Sequence, residues 1–202
     1  MYPKRFAVLA ILCTLAFAAL SEAAPKVGQP APDFASTDSQ GVTHTLGAYR
    51  GKIVVLEWTN HQCPFVGKHY GTGNMQALQK YATETNMVWL TVISSAPGEQ
   101  GHVSSAEANA LTAKRQAAPT AVLLDTAGGV GRLYDARTTP HMYIIDAQGT
   151  LVYMGGIDDK PSTQPADVQT AKNYVRVALG EVLSAKPVST SVTRPYGCTV
   201  KY

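Results

Sequence analysis

The residue with the clearest chemical context is Cys63, in Trp58-Thr59-Asn60-His61-Gln62-Cys63-Pro64-Phe65-Val66. An apolar run, Ile53-Val54-Val55-Leu56, leads into it and a helix-like run leads away. A thiol between a strand end and a helix start faces unpaired backbone N–H groups and the positive end of a helix dipole, and both favour the reactive thiolate. Free cysteine also packs as a small apolar residue, but strand, Cys-Pro and helix in succession favour reactivity. The second cysteine of interest is Cys198, in Arg194-Pro195-Tyr196-Gly197-Cys198. An attacking thiol ends as a sulfenic acid or a mixed disulfide, and a second thiol must resolve it. A mobile tail can carry Cys198 to that task. Alternatively the pair is a permanent clasp, stabilising the fold by about 4–5 kcal/mol in the chain-entropy model. The residues alone leave both roles open.

Three histidines surround this motif in sequence. His61 is two residues before Cys63, His69 six after it, and His141 directly follows Pro140. Converging imidazoles can shuttle a proton or, with a thiolate, hold copper or zinc. His-x-Cys is a weak motif, so ordinary polar roles are favoured, and neither a metal nor a cofactor is expected. Trp58 and Phe65 are expected to pack the core and the site rim. Asp33 and Glu57 are candidates for proton transfer, with a surface salt bridge the preferred account. Asp158-Asp159-Lys160 reads as a solvated loop. Gly128-Gly129-Val130-Gly131 lacks the lysine and spacing of a phosphate loop and reads as a loop before a short helix.

The elements that must position Cys63 follow from periodicity. Residues 25–33, with three prolines, should run extended. Asp33 to Thr45 carries a Ser39-Gln40-Gly41 turn signal and suggests a small hairpin. Lys52 to Thr59 is a continuous apolar run, as in a central strand buried on both faces. Pro64 suits the first turn of a helix, Gly71 and Gly73 interrupt it, and helical spacing resumes from Asn74. Further strands are expected at Met87 to Ile93 and Ala121 to Leu124. A helix capped by Ser104 and Glu107 lies between them and runs to about Gln116. A short helix near Val130 to Tyr134 precedes a hairpin of Met142 to Asp146 and Leu151 to Met154. Ala166 to Leu183 is the last helix, and Lys186 to Tyr202 is a tail without periodicity. The class is α/β, a three-layer sandwich with a mixed central sheet flanked by helices.

Composition sets the surroundings. The sequence has 202 residues, 45% hydrophobic and 15% charged, with a formal net charge of +3. That suits one globular domain, residues 24–185, followed by the tail 186–202 carrying Cys198. The body holds no basic run, which argues against nucleic acid. Lys4 and Arg5, an apolar stretch from Phe6 to Leu20, and Ser21-Glu22-Ala23 read as a signal peptide over residues 1–23. The protein is therefore expected to be exported, periplasmic or secreted, without stable membrane insertion. Cys13 is lost with that segment, leaving two thiols to meet an oxidising compartment.

The order of elements, Cys63-Pro64 after an apolar strand, and Thr139-Pro140 before the hairpin resemble the thioredoxin-like superfamily. The match is nearest its redoxin branch, which includes the peroxiredoxin-like proteins of the alkyl hydroperoxide reductase/thiol-specific antioxidant group. Val27-Gly28-Gln29-Pro30-Ala31-Pro32-Asp33-Phe34 and Tyr143-Ile144-Ile145-Asp146-Ala147-Gln148-Gly149 carry the likeness, which spans roughly residues 27–184. It implies that Cys63 is the nucleophile. It also implies that Pro140 is a cis-proline facing Cys63, with the Thr139 backbone ready to pair with an extended substrate strand. Val66 stands where thioredoxins carry their second cysteine. Asn60 and Pro140 stand where peroxiredoxins carry the threonine and arginine that hold peroxide.

The expected function is a thiol–disulfide oxidoreductase or antioxidant protein. Cys63 and Cys198 would be catalytic, with Thr139, Pro140, Asn60, His61 and Trp58 supporting. Its partners would be a redox protein or thiol reductant, with a protein disulfide or hydroperoxide as substrate. A peroxiredoxin-like hydroperoxide reductase is the alternative. A further one is a non-catalytic or metal-binding protein of this fold, using His61, Cys63, His69 and His141.

Overall fold

The computed structural model describes residues 24–202, so the expected signal peptide lies outside the described residues. In chain order the elements begin with β1 (Ala35–Thr37), β2 (Thr43–Thr45), β3 (Val54–Trp58), α1 (Pro64–Gly71), α2 (Asn74–Glu84) and β4 (Val88–Ile93). They continue with α3 (Ser105–Lys114), β5 (Ala121–Leu124), α4 (Gly129–Leu133), β6 (Thr138–Thr139), β7 (His141–Ile145), β8 (Leu151–Gly155), α5 (Tyr174–Leu183) and β9 (Cys198–Thr199).

The central sheet has the order β5-β4-β3-β7-β8. β3 runs parallel to β4 and antiparallel to β7, so the sheet is mixed. Every residue of β3, β4 and β7 is buried, because helices cover both faces, and this is why those strands read as unbroken apolar runs. Alternation divides β3 between two layers. Val54, Leu56 and Trp58 face one core with Phe34, Val130 and Tyr134. Val55 faces the other, with Cys63, Val66 and Met75 and with Val175 and Leu179 of α5. The expected three-layer α/β sandwich is therefore the observed fold.

Local chemistry sets the boundaries. Ser104 and Glu107 form the expected capping box: the Glu107 N–H donates to Ser104 Oγ at 3.3 Å and the Ser104 N–H donates to Glu107 Oε2 at 2.7 Å. Gly73, at φ +75°, separates α1 from α2. The last helix differs from expectation. A 3₁₀ turn covers Pro165–Gln169, and α5 begins only at Tyr174. Asn173 caps α5 by accepting from the Arg176 N–H at 2.9 Å. The Lys172 N–H is drawn aside to Asp159 at 2.9 Å, and these side chains compete with the helical ladder.

The larger difference is in residues 186–202. This segment is a strap bound across the carboxyl edge of the sheet. It first joins β8, with the Met154 N–H donating to the Ser191 carbonyl at 3.0 Å and the Thr193 N–H to the Met154 carbonyl at 3.1 Å. It then pairs antiparallel with β6, Cys198 opposite Thr139 and Thr199 opposite Thr138. Beyond that, the Val200 N–H donates to the Arg137 carbonyl at 3.1 Å and the Ala96 N–H donates to the Lys201 carbonyl at 2.8 Å. The Tyr202 hydroxyl closes the strap on the Ala136 carbonyl at 2.6 Å. Hydrogen bonds to neighbouring loops hold the strap, and these leave no periodic signature in its own residues.

Candidate active site

Asn60 builds the turn that presents Cys63. Its side-chain oxygen accepts from the Gln62 N–H at 2.8 Å and its carbonyl accepts from the Cys63 N–H at 3.1 Å, an Asx turn of the kind Asn favours. The chain then enters α1 with Cys63 as the N-cap residue and Pro64 at the first helical position, where a missing N–H costs nothing. The Thr139–Pro140 peptide is cis, as the resemblance implies. Cys63 Sγ donates to the Thr139 carbonyl at 3.1 Å. Thr139 is also the residue with which Cys198 pairs. Cys63, the cis-proline loop and the second thiol thus meet at one point.

Cys63 is only 1% exposed. Burial pushes its thiol up. Hydrogen bonds from the Cys198 thiol, the Val66 amide and Thr139 outweigh that and hold it below the ordinary thiol range. Cys63 makes no side-chain cap bond of good geometry, so the Val66 amide acts on the sulfur mainly through its dipole. Cys198 moves the other way, pushed up to about 12 by burial and by its hydrogen bond and charge interaction with Cys63, while Lys201 opposes. The two sulfurs are therefore polarised in opposite directions, Cys63 toward ready deprotonation and Cys198 away from it. Both cysteines are unbridged.

Gly197 makes this approach possible. A Cβ there would stand 2.6 Å from the Thr139 carbonyl carbon, and its φ of +141° is a conformation that L side chains rarely adopt. Gly131 serves the far end of the strap: a Cβ there would meet the Tyr202 hydroxyl at 2.6 Å. The glycine-rich stretch, expected as a loop, instead caps and opens α4 and is the bed of an aromatic ring.

The other sequence candidates disperse. Trp58 lies in the layer opposite Cys63, with its Nε1–H on Ser94 Oγ at 3.0 Å. Its place is the core and not the site. His61 is half-buried; its carbonyl accepts from Arg115 at 3.2 Å, and burial followed by the Arg115 charge lowers its ring titration. With Thr59 and Arg115 it lines a cavity of about 30 Å³, and the buried Thr59 hydroxyl has no hydrogen-bond partner among the described residues. His141 is pushed down to about 4 by burial; its Nδ1 accepts from the Arg137 N–H at 3.3 Å and lies 3.0 Å from the Tyr143 hydroxyl. His69 is pushed down to about 4, first by burial, and contacts Asn74 and Tyr196. The three imidazoles do not converge. Among the described residues no group of three or more His, Cys, Asp or Glu side chains is placed to hold a metal.

Two carboxylates also depart from expectation. Glu57 is fully buried and accepts from Tyr70, Gln79, Trp89 and Thr91 at 2.8–3.1 Å. Burial raises its titration, and these four donors oppose that. It sits in the strand layer beneath α1 and is no surface ion pair. Asp158 is 3% exposed, where a solvated loop was expected. It faces Lys68, His69 and Tyr196, of which only His69 stood out in the sequence, and for another role.

Comparison with known proteins agrees with this fold. The model of the AhpC/TSA family matches residues 27–154. No curated protein matches the chain. Among solved structures, an uncharacterized conserved protein from Geobacillus kaustophilus has a TM-score of 0.76 at 24% identity. That match covers 88% of this chain and 92% of the other. A hypothetical protein from Sinorhizobium meliloti gives 0.69 at 24%, covering 89% and 96%. A putative thiol:disulfide interchange protein from Chlorobium tepidum gives 0.52 at 23%, covering 65% and 85%. These structures share the fold.

Proposed function

This chain belongs to the AhpC/TSA family, and from that premise we propose that it is an exported thiol–disulfide oxidoreductase whose Cys63 attacks and whose Cys198 resolves within the same chain. The pairing of Cys198 with Thr139 carries this reading, because it sets the second thiol against the first.

The steps follow from the polarity of the pair. The Cys63 thiolate attacks one sulfur of a substrate disulfide. A bond forms between Cys63 and that sulfur, the substrate S–S bond breaks, and the departing thiolate takes a proton. Cys63 is then neutral, which removes the Cys63 contributions that held the Cys198 proton. Cys198 loses that proton and attacks Cys63 Sγ. The mixed disulfide breaks, the second substrate thiol leaves protonated, and a Cys63–Cys198 bond remains. The substrate has gained two electrons and the enzyme has lost two. An external dithiol reductant returns the enzyme to the reduced state.

Burial of Cys63 beneath the strap favours a second electrophile, a small hydroperoxide that needs no strand-docking edge. There the thiolate takes the terminal oxygen, the alcohol leaves, and Cys198 condenses with the sulfenic acid to release water. Asn60 is spent on the Cys63 turn and does not replace the peroxide-holding threonine. Disulfide exchange is therefore the first reading.

Export rests on the basic start and apolar stretch of residues 1–23. No helix among the described residues is long and apolar enough to cross a membrane.

The test is turnover of a model disulfide and of hydrogen peroxide, with mass spectrometry under non-reducing conditions. Wild type gives a Cys63–Cys198-linked peptide pair, Cys63→Ser gives no turnover, and Cys198→Ser accumulates a mixed disulfide on Cys63. Turnover persisting in Cys63→Ser removes the proposal. A linked pair that withstands mild reductant and never cycles makes the bond a clasp instead.

A further inference from the structure

Beside the thiol pair lies a buried polar cluster that the steps above do not use. Lys68 on α1 and Asp158 in the loop after β8 form an ion pair at 3.6 Å, with side chains 0% and 1% exposed. Lys68 Nζ donates to the Lys160 carbonyl at 2.8 Å and to the Tyr196 hydroxyl at 3.2 Å. The Tyr196 hydroxyl donates to Asp158 Oδ1 and lies 3.2 Å from His69 Nε2. Neutral His69 accepts at Nδ1 from the Asn74 amide at 2.8 Å, which leaves its Nε2–H to donate to Tyr196. The phenol oxygen thus donates once and accepts twice.

Burying a lysine and an aspartate is costly unless their remaining protons and lone pairs are matched. Here the matching group comes from the strap. Among the described residues Asp158 Oδ2 has no hydrogen-bond partner even in this arrangement, and Oδ1 otherwise has only the Lys160 N–H at 2.9 Å. Lifting Tyr196 would take a hydroxyl from all three partners at once. The strap and the ion pair therefore hold one another in place.

The seat is also at the right distance. Lys68 is five residues beyond Cys63 on α1, roughly 7.5 Å along the helix. Tyr196 is two residues before Cys198 across a bend at Gly197, a span of at most roughly 6.8 Å. One helix presents the nucleophile at its start and the seat in its second turn, and the strap spans both. Phe65, next but one to Cys63, packs edge-on against the Tyr196 ring at 5.8 Å.

We infer that Tyr196 is a positioning residue for the resolving step: its phenol, seated on Lys68, His69 and Asp158, fixes Cys198 in line with Cys63. This rests on Cys198 being the resolving thiol. In the step it serves, the Cys198 thiolate forms a bond to Cys63 Sγ and the mixed disulfide breaks with loss of the substrate thiolate.

The experiment uses reduced full-length protein and 5,5′-dithiobis(2-nitrobenzoate). Attack by Cys63 releases one coloured thiolate, and attack by Cys198 on the mixed disulfide releases a second. The first phase reads access to Cys63 and the second reads the position of Cys198. In Tyr196→Phe the ring still packs on Phe65, and the second phase should slow at least tenfold while the first is unchanged or faster. The double variant Lys68→Met/Asp158→Leu removes the seat without leaving a lone buried charge, and should show the same split. A second phase within twofold of wild type in both variants overturns the inference, as does an equal slowing of both phases, which marks general loosening. If wild type and Cys198→Ser both release a single thiolate, the resolving role itself falls and the positioning role falls with it.

Discussion

Replacing Gly197 by alanine tests whether the strap is the cover of Cys63. The added Cβ would stand 2.6 Å from the Thr139 carbonyl carbon, on a backbone at φ +141°. The Thr139 carbonyl oxygen would be closer still, so to reach ordinary contact at 3.4–4 Å the strand must retreat by roughly an ångström or more, across the β6–β9 hydrogen bonds. Backbone strain of this kind costs about 1–3 kcal/mol, and here it falls on the docked strap alone. The open population should rise by the corresponding factor, about 5- to 150-fold. Cys63 is 1% exposed, so its alkylation by N-ethylmaleimide must pass through an opening, and the rate follows the open population. The comparison is best made in a Cys198→Ser background, where only Cys63 reacts. Gly180→Ala, at a helical position with no neighbour within 4 Å, is the control and should leave the rate unchanged. A Gly197→Ala rate equal to the control would refute the strap as cover.

Three further outcomes are expected. Cys198 is pushed up to about 12 by burial and then by Cys63, so Cys63→Ser should bring its titration down, read by thiolate absorbance; an unchanged curve counts against the polarised pair. Its raised value also means that stability present below the unfolded thiol range, about 8.5, is lost as pH rises toward 12. His69 and His141 are each pushed down to about 4 by burial from an ordinary 6.5. Their contribution, about 3 kcal/mol each, is present above pH 6.5 and lost as pH falls toward 4. Urea unfolding across that window should show the loss, and His141→Gln should flatten it; parallel slopes would contradict this. Glu57→Gln places an amide donor among four donors, and should lower unfolding stability by about 1–3 kcal/mol. A stable variant would mean that Glu57 is already protonated in the fold.

The fold was legible because its signals are local. Val54 to Trp58 reads as a two-face-buried strand, Ser104 and Glu107 announce a helix start, and Cys63-Pro64 marks a strand-to-helix junction. The break before α5 was not, because it depends on where Asp158 and Asp159 place the partners of Asn173 and Lys172. The histidines misled for a related reason. Spacing in sequence gave no sign that His61, His69 and His141 would each be taken by different neighbours.

By itself, then, the sequence determined the sheet, the helices, and a cysteine at a strand-to-helix junction with no partner thiol in its own motif, since each follows from short-range periodicity and residue type. Only the tertiary structure decided what becomes of residues 186–202. Their attachment is made by backbone pairing to β6 and by a phenol completing a buried ion pair, interactions between positions far apart in the chain. It is this long-range docking that turns Cys198 from a distant sulfur into the thiol lying on Cys63.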